Sequence, residues 1–198
     1  MPKGIPLTDE EQSRKRHEIF AATVHLFLEK GFTETSMREL AEAAGMGKSS
    51  LYDYFKTKDE ILIWYFEDEL EDMSLMACEI ANQSLPAVEK LRQILGRQLE
   101  LLLENKEFYL KLSFEVQRLS AESQRRIQIK RHEYQDLLRS LIEQGIREGA
   151  FRQVNSLLAT RILIAALTPV VFTSRPTGTP TEMLDEAFSL FLHGVQAG

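Results

Sequence analysis

The sequence predicts an all-α protein, and three observations carry that reading. Apolar residues recur at helical spacing along almost the whole chain. No segment alternates polar and apolar residues as a half-buried strand would. Val170-Val171-Phe172, the strongest strand former, continues a longer helical stripe. Helix start signals and glycine stops then divide the chain at helical lengths. About nine helices result, in an N-terminal three-helix head followed by a C-terminal helical bundle.

The first helix is expected over 10–30, with Ile19, Ala22, Leu26 and Phe27 on one face. Gly31 ends it, and Phe32 stands where a Schellman cap returns an apolar residue toward Phe27. Ser36 and Glu39 form a capping box that opens the second helix. Its inner stripe is Met37, Leu40, Ala41 and Ala44, and Gly45-Met46-Gly47 is the turn after it. The third helix spans 48–55 with Gly47 as N-cap. Thr57 and Glu60 make a second capping box, opening a long fourth helix to about residue 83. Ser84 and Pro86 open the fifth, with Val88, Leu91, Leu95, Leu99 and Leu102 as its stripe. The sixth is expected over 108–117 and the seventh over 120–148, where Gly149 stops it. Asn155 caps an eighth helix running to about 173, kinked by Pro169. Thr179-Pro180-Thr181-Glu182 combines a capping box with proline at the first helical position and opens the ninth.

Composition narrows the class. A chain of 198 residues that is 43% hydrophobic and 27% charged is neither disordered nor low in complexity. At this length about 70% of the unfolded surface can be buried, enough for a core without staples. The lone cysteine, Cys78, excludes an internal disulfide and fits a reducing, cytoplasmic setting. Residues 1–8 carry no apolar leader. The longest uncharged apolar stretch, 162–172, falls short of the roughly 20 residues a membrane span needs, so no membrane association is expected. The net charge of −6 argues mildly against nucleic acid if read globally, but a local basic face escapes that argument.

One motif carries chemistry. Residues 36–55 read as helix, glycine-containing turn and short helix, the arrangement in which a second helix enters the DNA major groove. Leu51 and Phe55, four apart, anchor the third helix and leave Lys48, Ser49, Tyr52 and Asp53 on its other faces. Ser36, Lys48, Ser50, Tyr52, Tyr54 and Lys58 all carry donors for phosphate oxygens. Taken alone, the pattern fits an ordinary helical hairpin with a tight turn equally well.

The residues Ala21-Ala22, Leu26-Phe27, Gly31-Phe32, Thr35-Ser36, Leu40-Ala41, Ala44-Gly45, Leu51-Tyr52, Phe55, Lys58 and Asp59-Glu60-Ile61-Leu62 resemble the N-terminal domain of the tetracycline-repressor (TetR) family. The resemblance implies a homodimeric, ligand-responsive transcriptional regulator, a repressor, that binds a near-palindromic double-stranded operator. It implies a DNA-binding domain over 13–73 and a ligand-binding and dimerisation domain over 74–198. It also implies a DNA-contact set of Ser36, Lys48, Ser49, Ser50, Tyr52, Tyr54 and Lys58, with Lys48 and Ser49 as base readers and Ser36, Tyr52, Tyr54 and Lys58 as phosphate anchors. Effector binding would change the separation of the two heads, with the fourth helix as lever.

Three positions depart from the family pattern. Gly47 replaces a Ser or Thr N-cap, at a cost of a few tenths of a kcal/mol. Tyr54 replaces a common histidine. Asp53 puts an acid on the DNA face, repelled by phosphate but able to accept from a cytosine amine. Residues 1–60 hold nine Lys/Arg and eleven Asp/Glu, so a basic face there rests on Lys48, Lys56 and Lys58. Arg14-Lys15-Arg16 reads as a solvated basic turn, with an N-terminal phosphate contact as the alternative.

In the resembled family the last two helices form a four-helix dimer interface, which points to Leu163, Leu167, Val170, Val171, Leu184, Phe188, Phe191 and Val195, with simple core packing as the alternative. Trp64, Met73, Met76, Phe108, Tyr109, Phe114 and Tyr134 are candidates to line a pocket for a small apolar effector, each also readable as plain core. The segment Ile146 to Arg152 looks like one found in family members that sense lipid-like effectors, and equally like a helix cap and turn.

Enzyme readings find little. His17, His25, His132 and His193 lie outside metal-ligand spacing, so no metal, cofactor or catalytic residue is expected. Gly47-Lys48-Ser49 mimics the end of a phosphate-binding loop, but Glu42 stands at its earlier glycine. Cys78 sits beside Glu79, which disfavours a reactive thiolate. The remaining alternative is a helical protein-protein adaptor without DNA binding.

Overall fold

The computed structural model describes residues 8–195, so the expectation for residues 1–8 lies outside the described residues except at Thr8. The described residues are helical without a strand, in the order α1 (Asp9–Lys30), α2 (Met37–Ala43), α3 (Lys48–Tyr54), α4 (Lys58–Ala81), α5 (Ala87–Glu104), α6 (Lys106–Val116), α7 (Ala121–Arg147), α8 (Ser156–Ala165), α9 (Leu167–Val171) and α10 (Pro180–Val195). None of these helices is long and apolar enough to cross a membrane.

Start signals act where the sequence has them. Ser36 Oγ accepts from Glu39 N at 3.4 Å while Glu39 Oε2 accepts from Ser36 N at 2.9 Å. Asn155 Oδ1 accepts from Leu158 N, and the Thr179–Glu182 box is reciprocal. Thr57 Oγ1 caps Glu60 N, but the Glu60 carboxylate turns to Lys56 N instead of closing that box. Gly31 has φ 93° and ψ 148°, open to glycine but outside the left-handed helical well, so the Schellman geometry expected there does not form. It forms after α2 instead, where Met46 N donates to Ala41 O and Gly45 N to Glu42 O.

The eighth helix of the sequence reading is two segments, parted at Ala166. Pro169 has no N–H for the Ala165 carbonyl, and its ring crowds that same carbonyl. The kink therefore falls one turn before the proline, and the nine expected helices become ten segments.

Two compact units emerge. The first holds residues 8–66 with Lys111–Gln124, and the second holds Glu67–Leu110 with the chain from Arg125 onward. The units part inside α4 at 66/67, and the first unit also takes up 111–116 of α6.

In the first unit Ile19, Phe27, Leu40, Leu51, Phe55, Ile61 and Leu62 are buried. Phe32 packs on Phe27 with ring centroids 5.1 Å apart, as the sequence suggests. Arg16 is not a solvated cation; its guanidinium lies 5.4 Å above the Phe55 ring.

The second unit buries one stripe from each of α4, α5, α7, α8, α9 and α10 in a common core. Arg126 pairs with Glu67 at 2.5 Å and Lys130 with Glu71 at 3.1 Å. Both pairs have the same sequence offset one helical turn apart, which sets α4 and α7 parallel in register. The segment Ile146 to Arg152 is a cap and turn. Gly149 adopts φ 75°, Ala150 N donates to Gly145 O, and Arg152 donates to Gly194 O at the end of α10. Phe151 packs one side of its ring on Gly145, where an added Cβ would meet Phe151 Cδ2 at 2.3 Å.

Gly145→Ala should therefore force Phe151 from its seat and lower stability by roughly 1–3 kcal/mol. Denaturant unfolding of Gly145→Ala, Phe151→Leu and the double variant checks this. The cost of Gly145→Ala should largely vanish in the Phe151→Leu background. Equal costs in both backgrounds would refute the contact.

Candidate nucleic-acid interface

The helix-turn-helix is built on burial. Leu51 and Phe55 are at most 1% exposed and hold α3 against α2, with Arg16 of α1 over the Phe55 ring. That orients the rest of a seven-residue helix that no side chain caps. Lys48, Ser49, Ser50 and Asp53 face solvent, and Tyr52 and Tyr54 are half-buried. Lys48 Nζ hovers 5.7 Å over the Tyr52 ring, which steers the ammonium along the helix without engaging its hydrogens. Lys56, also exposed, donates to the Tyr52 carbonyl at the end of α3.

Ser36 is exposed, but its hydroxyl serves the cap: it accepts from Glu39 N and donates to Glu39 Oε2 at 2.7 Å. Glu39 is also held by Lys30. Hydrogen bonds from Lys30 and then Ser36 draw its carboxyl down to about 2.

Lys58 departs from its expected place among phosphate anchors. It is half-buried, and its ammonium donates to the carbonyls of Phe32 at 2.7 Å, Thr33 at 2.7 Å and Thr35 at 3.1 Å. An ammonium has three hydrogens, and all three are taken.

The sequence reading passed over Arg38. Its side chain is 76% exposed in the first turn of α2, touching only the equally solvated Glu42 at 3.3 Å. The signal was present: a cation in the first turn of the first helix of the motif. The capping box around it absorbed the reading.

The remaining candidates scatter. Trp64 belongs to the first unit, half-buried and edge-on to His17 at 4.8 Å and to Phe55 at 5.8 Å. Phe114 is 67% exposed and lines nothing enclosed. Met73, Phe108 and Tyr134 are buried, and Tyr109 meets the Phe108 ring edge-on. Tyr134 donates to Gln98 Oε1 at 2.8 Å, and burial pushes its phenol upward. Met76 lines an open groove of about 460 Å³ between α4 and α5, with Gly96 and Arg97 opposite.

The eight residues proposed for a dimer interface are all at most 8% exposed inside a single subunit. They form the inner stripe of α8–α10, because the second unit needs that stripe for its own core. The apolar side chains those helices do present are Leu158, Ile162 and Leu190, 55%, 53% and 70% exposed. They border a groove of about 420 Å³ that Phe191 and Val195 also line.

Comparison with known proteins decides the class. The family model "Bacterial regulatory proteins, tetR family" matches residues 19–63, and "Tetracyclin repressor-like, C-terminal domain" matches 84–195. The chain belongs to the tetR family of bacterial regulators. It is 23% identical over 165 residues to the fatty acid metabolism regulator protein of Bacillus subtilis, covering 82% of this chain and 85% of that one. It is 26% identical over 172 residues to the transcriptional repressor KstR2 of Rhodococcus jostii, covering 86% and 84%. Among solved structures, PfmR of Thermus thermophilus matches with TM-score 0.74 and 28% identity over 90% of this chain and 99% of that one. Bacillus subtilis FadR in complex with stearoyl-CoA has the same fold, with TM-score 0.78 and 20% identity over 91% and 99%. The regulator is thus a DNA-binding transcription factor, in a family of regulators rather than enzymes.

The low value of Glu39 has a stability consequence. A carboxyl ordinarily near 4.5 and drawn down to about 2 contributes stability that is complete above about 4.5. That contribution is lost as pH falls from there through about 2. Thermal melts across this window should show a steeper acid loss for the wild type than for Glu39→Gln. Parallel curves would show that the Lys30–Glu39–Ser36 cluster does not hold in solution.

Proposed function

We propose that this regulator is a repressor that acts in the cytoplasm as a homodimer. It binds a near-palindromic operator and is released by a small apolar effector. The exposed polar face of α3, carried on buried Leu51 and Phe55, is the observation that supports DNA reading by this helix. Lys48 and Ser49 at its first turn are assigned to base edges. Ser50, Tyr52 and Tyr54 are assigned to phosphates, with Arg38 added from α2, while the Ser36 hydroxyl stays with its cap. DNA contact is assigned to the head within 13–73, and effector binding and dimerisation to the bundle within 74–198. Few net positive charges on this face imply weak non-specific binding and a modest salt dependence.

The dimer surface is assigned to Leu158, Ile162 and Leu190, a patch that a solvated monomer has no reason to present. A twofold interface there lets each copy's α8 and α10 cover the other's groove. Leu190→Glu should raise the dimer dissociation constant about 30-fold or more, read by sedimentation. Leu163→Ala, a core change, should lower stability without dissociating the dimer. Dimerisation untouched by Leu190→Glu would refute the surface.

The effector assignment draws on relatives: one neighbour was solved with stearoyl-CoA, and another, AibR, with isovaleryl coenzyme A and operator DNA. These two thioesters are the first probes to add to an operator complex.

The operator comes from selection out of a randomised duplex pool, run with wild type and Lys48→Ala side by side. An inverted repeat should emerge for the wild type. Lys48→Ala should weaken it by about 1–3 kcal/mol and relax the preference at one position per half-site. Unchanged selection by Lys48→Ala would overturn the assignment of α3.

A further inference from the structure

We infer, on the reading of the bundle as effector-binding, that Gln98 is the polar anchor of that site. Its side-chain amide nitrogen donates to one uncharged carbonyl oxygen carried by an otherwise apolar molecule.

Gln98 sits on the inner stripe of α5 between Leu95 and Leu99 and is 6% exposed. An amide buried among aliphatic side chains is costly unless its hydrogen bonds are made. One side of this amide is satisfied. Oε1 accepts from the Tyr134 hydroxyl at 2.8 Å, which fixes the orientation of the group. The other side is not. Nε2 carries two hydrogens and donates to no acceptor among the described residues. Nor is Nε2 an enclosed atom; it keeps contact with free space.

A way in lies beside it. Arg97, the residue before Gln98, and Leu101, one turn after it, border the groove between α4 and α5 together with Met76. Its larger part, about 460 Å³, is of the size that small ligands occupy. An added Cβ at Gly96, in the middle of α5, would meet nothing within 4 Å, so this glycine keeps the groove wide. Met76 also packs on the core that holds Tyr134, Leu95 and Leu99. An unbranched thioether there can swing aside and re-pack around a guest.

Chemistry selects the guest. An alkane would leave the Nε2 hydrogens unpaired. A carboxylate would bring its charge into the core without a counter-ion, since the one buried cation among the described residues, Lys90, is turned to the Ala81 carbonyl. A ketone, ester or thioester carbonyl on an apolar chain pairs with Nε2 and brings no charge to desolvate.

The test takes the full chain and three probes of matched medium length: a methyl ketone, the alkane and the carboxylate. Dissociation constants come from the rise in melting temperature across a concentration series. Wild type should bind the ketone about tenfold more tightly than either of the others. The infrared carbonyl stretch of the bound ketone should fall below its value in hydrocarbon, as it does when a carbonyl accepts a hydrogen bond. Gln98→Met combined with Tyr134→Phe replaces both polar groups by apolar ones of similar shape, a change the fold should tolerate. This variant should bind ketone and alkane equally and return the stretch to its hydrocarbon value.

Tyr134→Phe alone keeps the donor but lets the amide turn, so the advantage of the ketone should shrink without vanishing. Gly96→Leu fills the groove and leaves Gln98 in place, so it should weaken ketone and alkane alike. Should the double variant fail to fold, Tyr134→Phe and the wild-type infrared band decide. A ketone bound no better than the alkane or the carboxylate, or a band left unshifted, would overturn the anchor and leave the effector reading standing. Failure of wild type to bind the ketone, the alkane and both coenzyme A thioesters would overturn the two together.

Discussion

The head depends on burying two side chains of a helix too short to exist alone. α3 has seven residues, a glycine N-cap and no side-chain hydrogen bond at its start. Free in water, such a segment pays the nucleation cost of a helix for very few hydrogen bonds. Leu51 and Phe55 reverse that balance, each contributing about 1.5–3 kcal/mol on full burial. They also fix the rotation of α3 about its axis, so Lys48, Ser49 and Ser50 face outward by geometry rather than preference. Arg16 and Trp64 close over Phe55, which makes aromatic packing, not charge, the foundation of the charged face.

The bundle follows a different logic. Its main helices α4, α5, α7 and α10 run 16–27 residues, and the ties between them set how they align. The Glu67–Arg126 and Glu71–Lys130 pairs set the register of α4 on α7. Arg92–Asp185 links α5 to α10, and Arg152 closes the end of α10. Exposed pairs of this kind contribute little stability individually. Their value is that they are mutually compatible in one alignment of the helices. Two buried polar groups serve the same purpose inside: Lys90 donates to the Ala81 carbonyl at the end of α4, and Tyr134 to Gln98.

Site residues were legible to the degree that their role is local. A capping box, a glycine turn and a pair of anchors four apart are defined by neighbours in the chain, and the helix-turn-helix is made of nothing else. The sequence signal for the effector and dimer residues is apolarity, and apolarity reports only that a side chain leaves water. It does not distinguish a core from a cavity or a partner. Leu163 and Leu190 look alike in sequence, yet one is fully buried and the other 70% exposed. Trp64 and Met76 likewise looked like companions, but one is packed among aromatic rings in the head and the other borders a groove.

Helical class, the element boundaries to within a few residues, the helix-turn-helix and the family itself all follow from the sequence alone. Each rests on spacing, capping and turn chemistry acting over three to five residues. Which face of α10 is buried, where Trp64 goes and what Lys58 holds are settled by packing between segments far apart in the chain. Lys58 is the clearest case. By residue type it is a cation near a DNA-binding helix, and by sequence it belongs with the phosphate contacts. Its partners lie 23–26 residues away, and only when α1, α2 and α4 meet do three carbonyls and a ring converge on one ammonium. A hydrogen bond requires atoms within about 3 Å, and a linear pattern does not encode that distance.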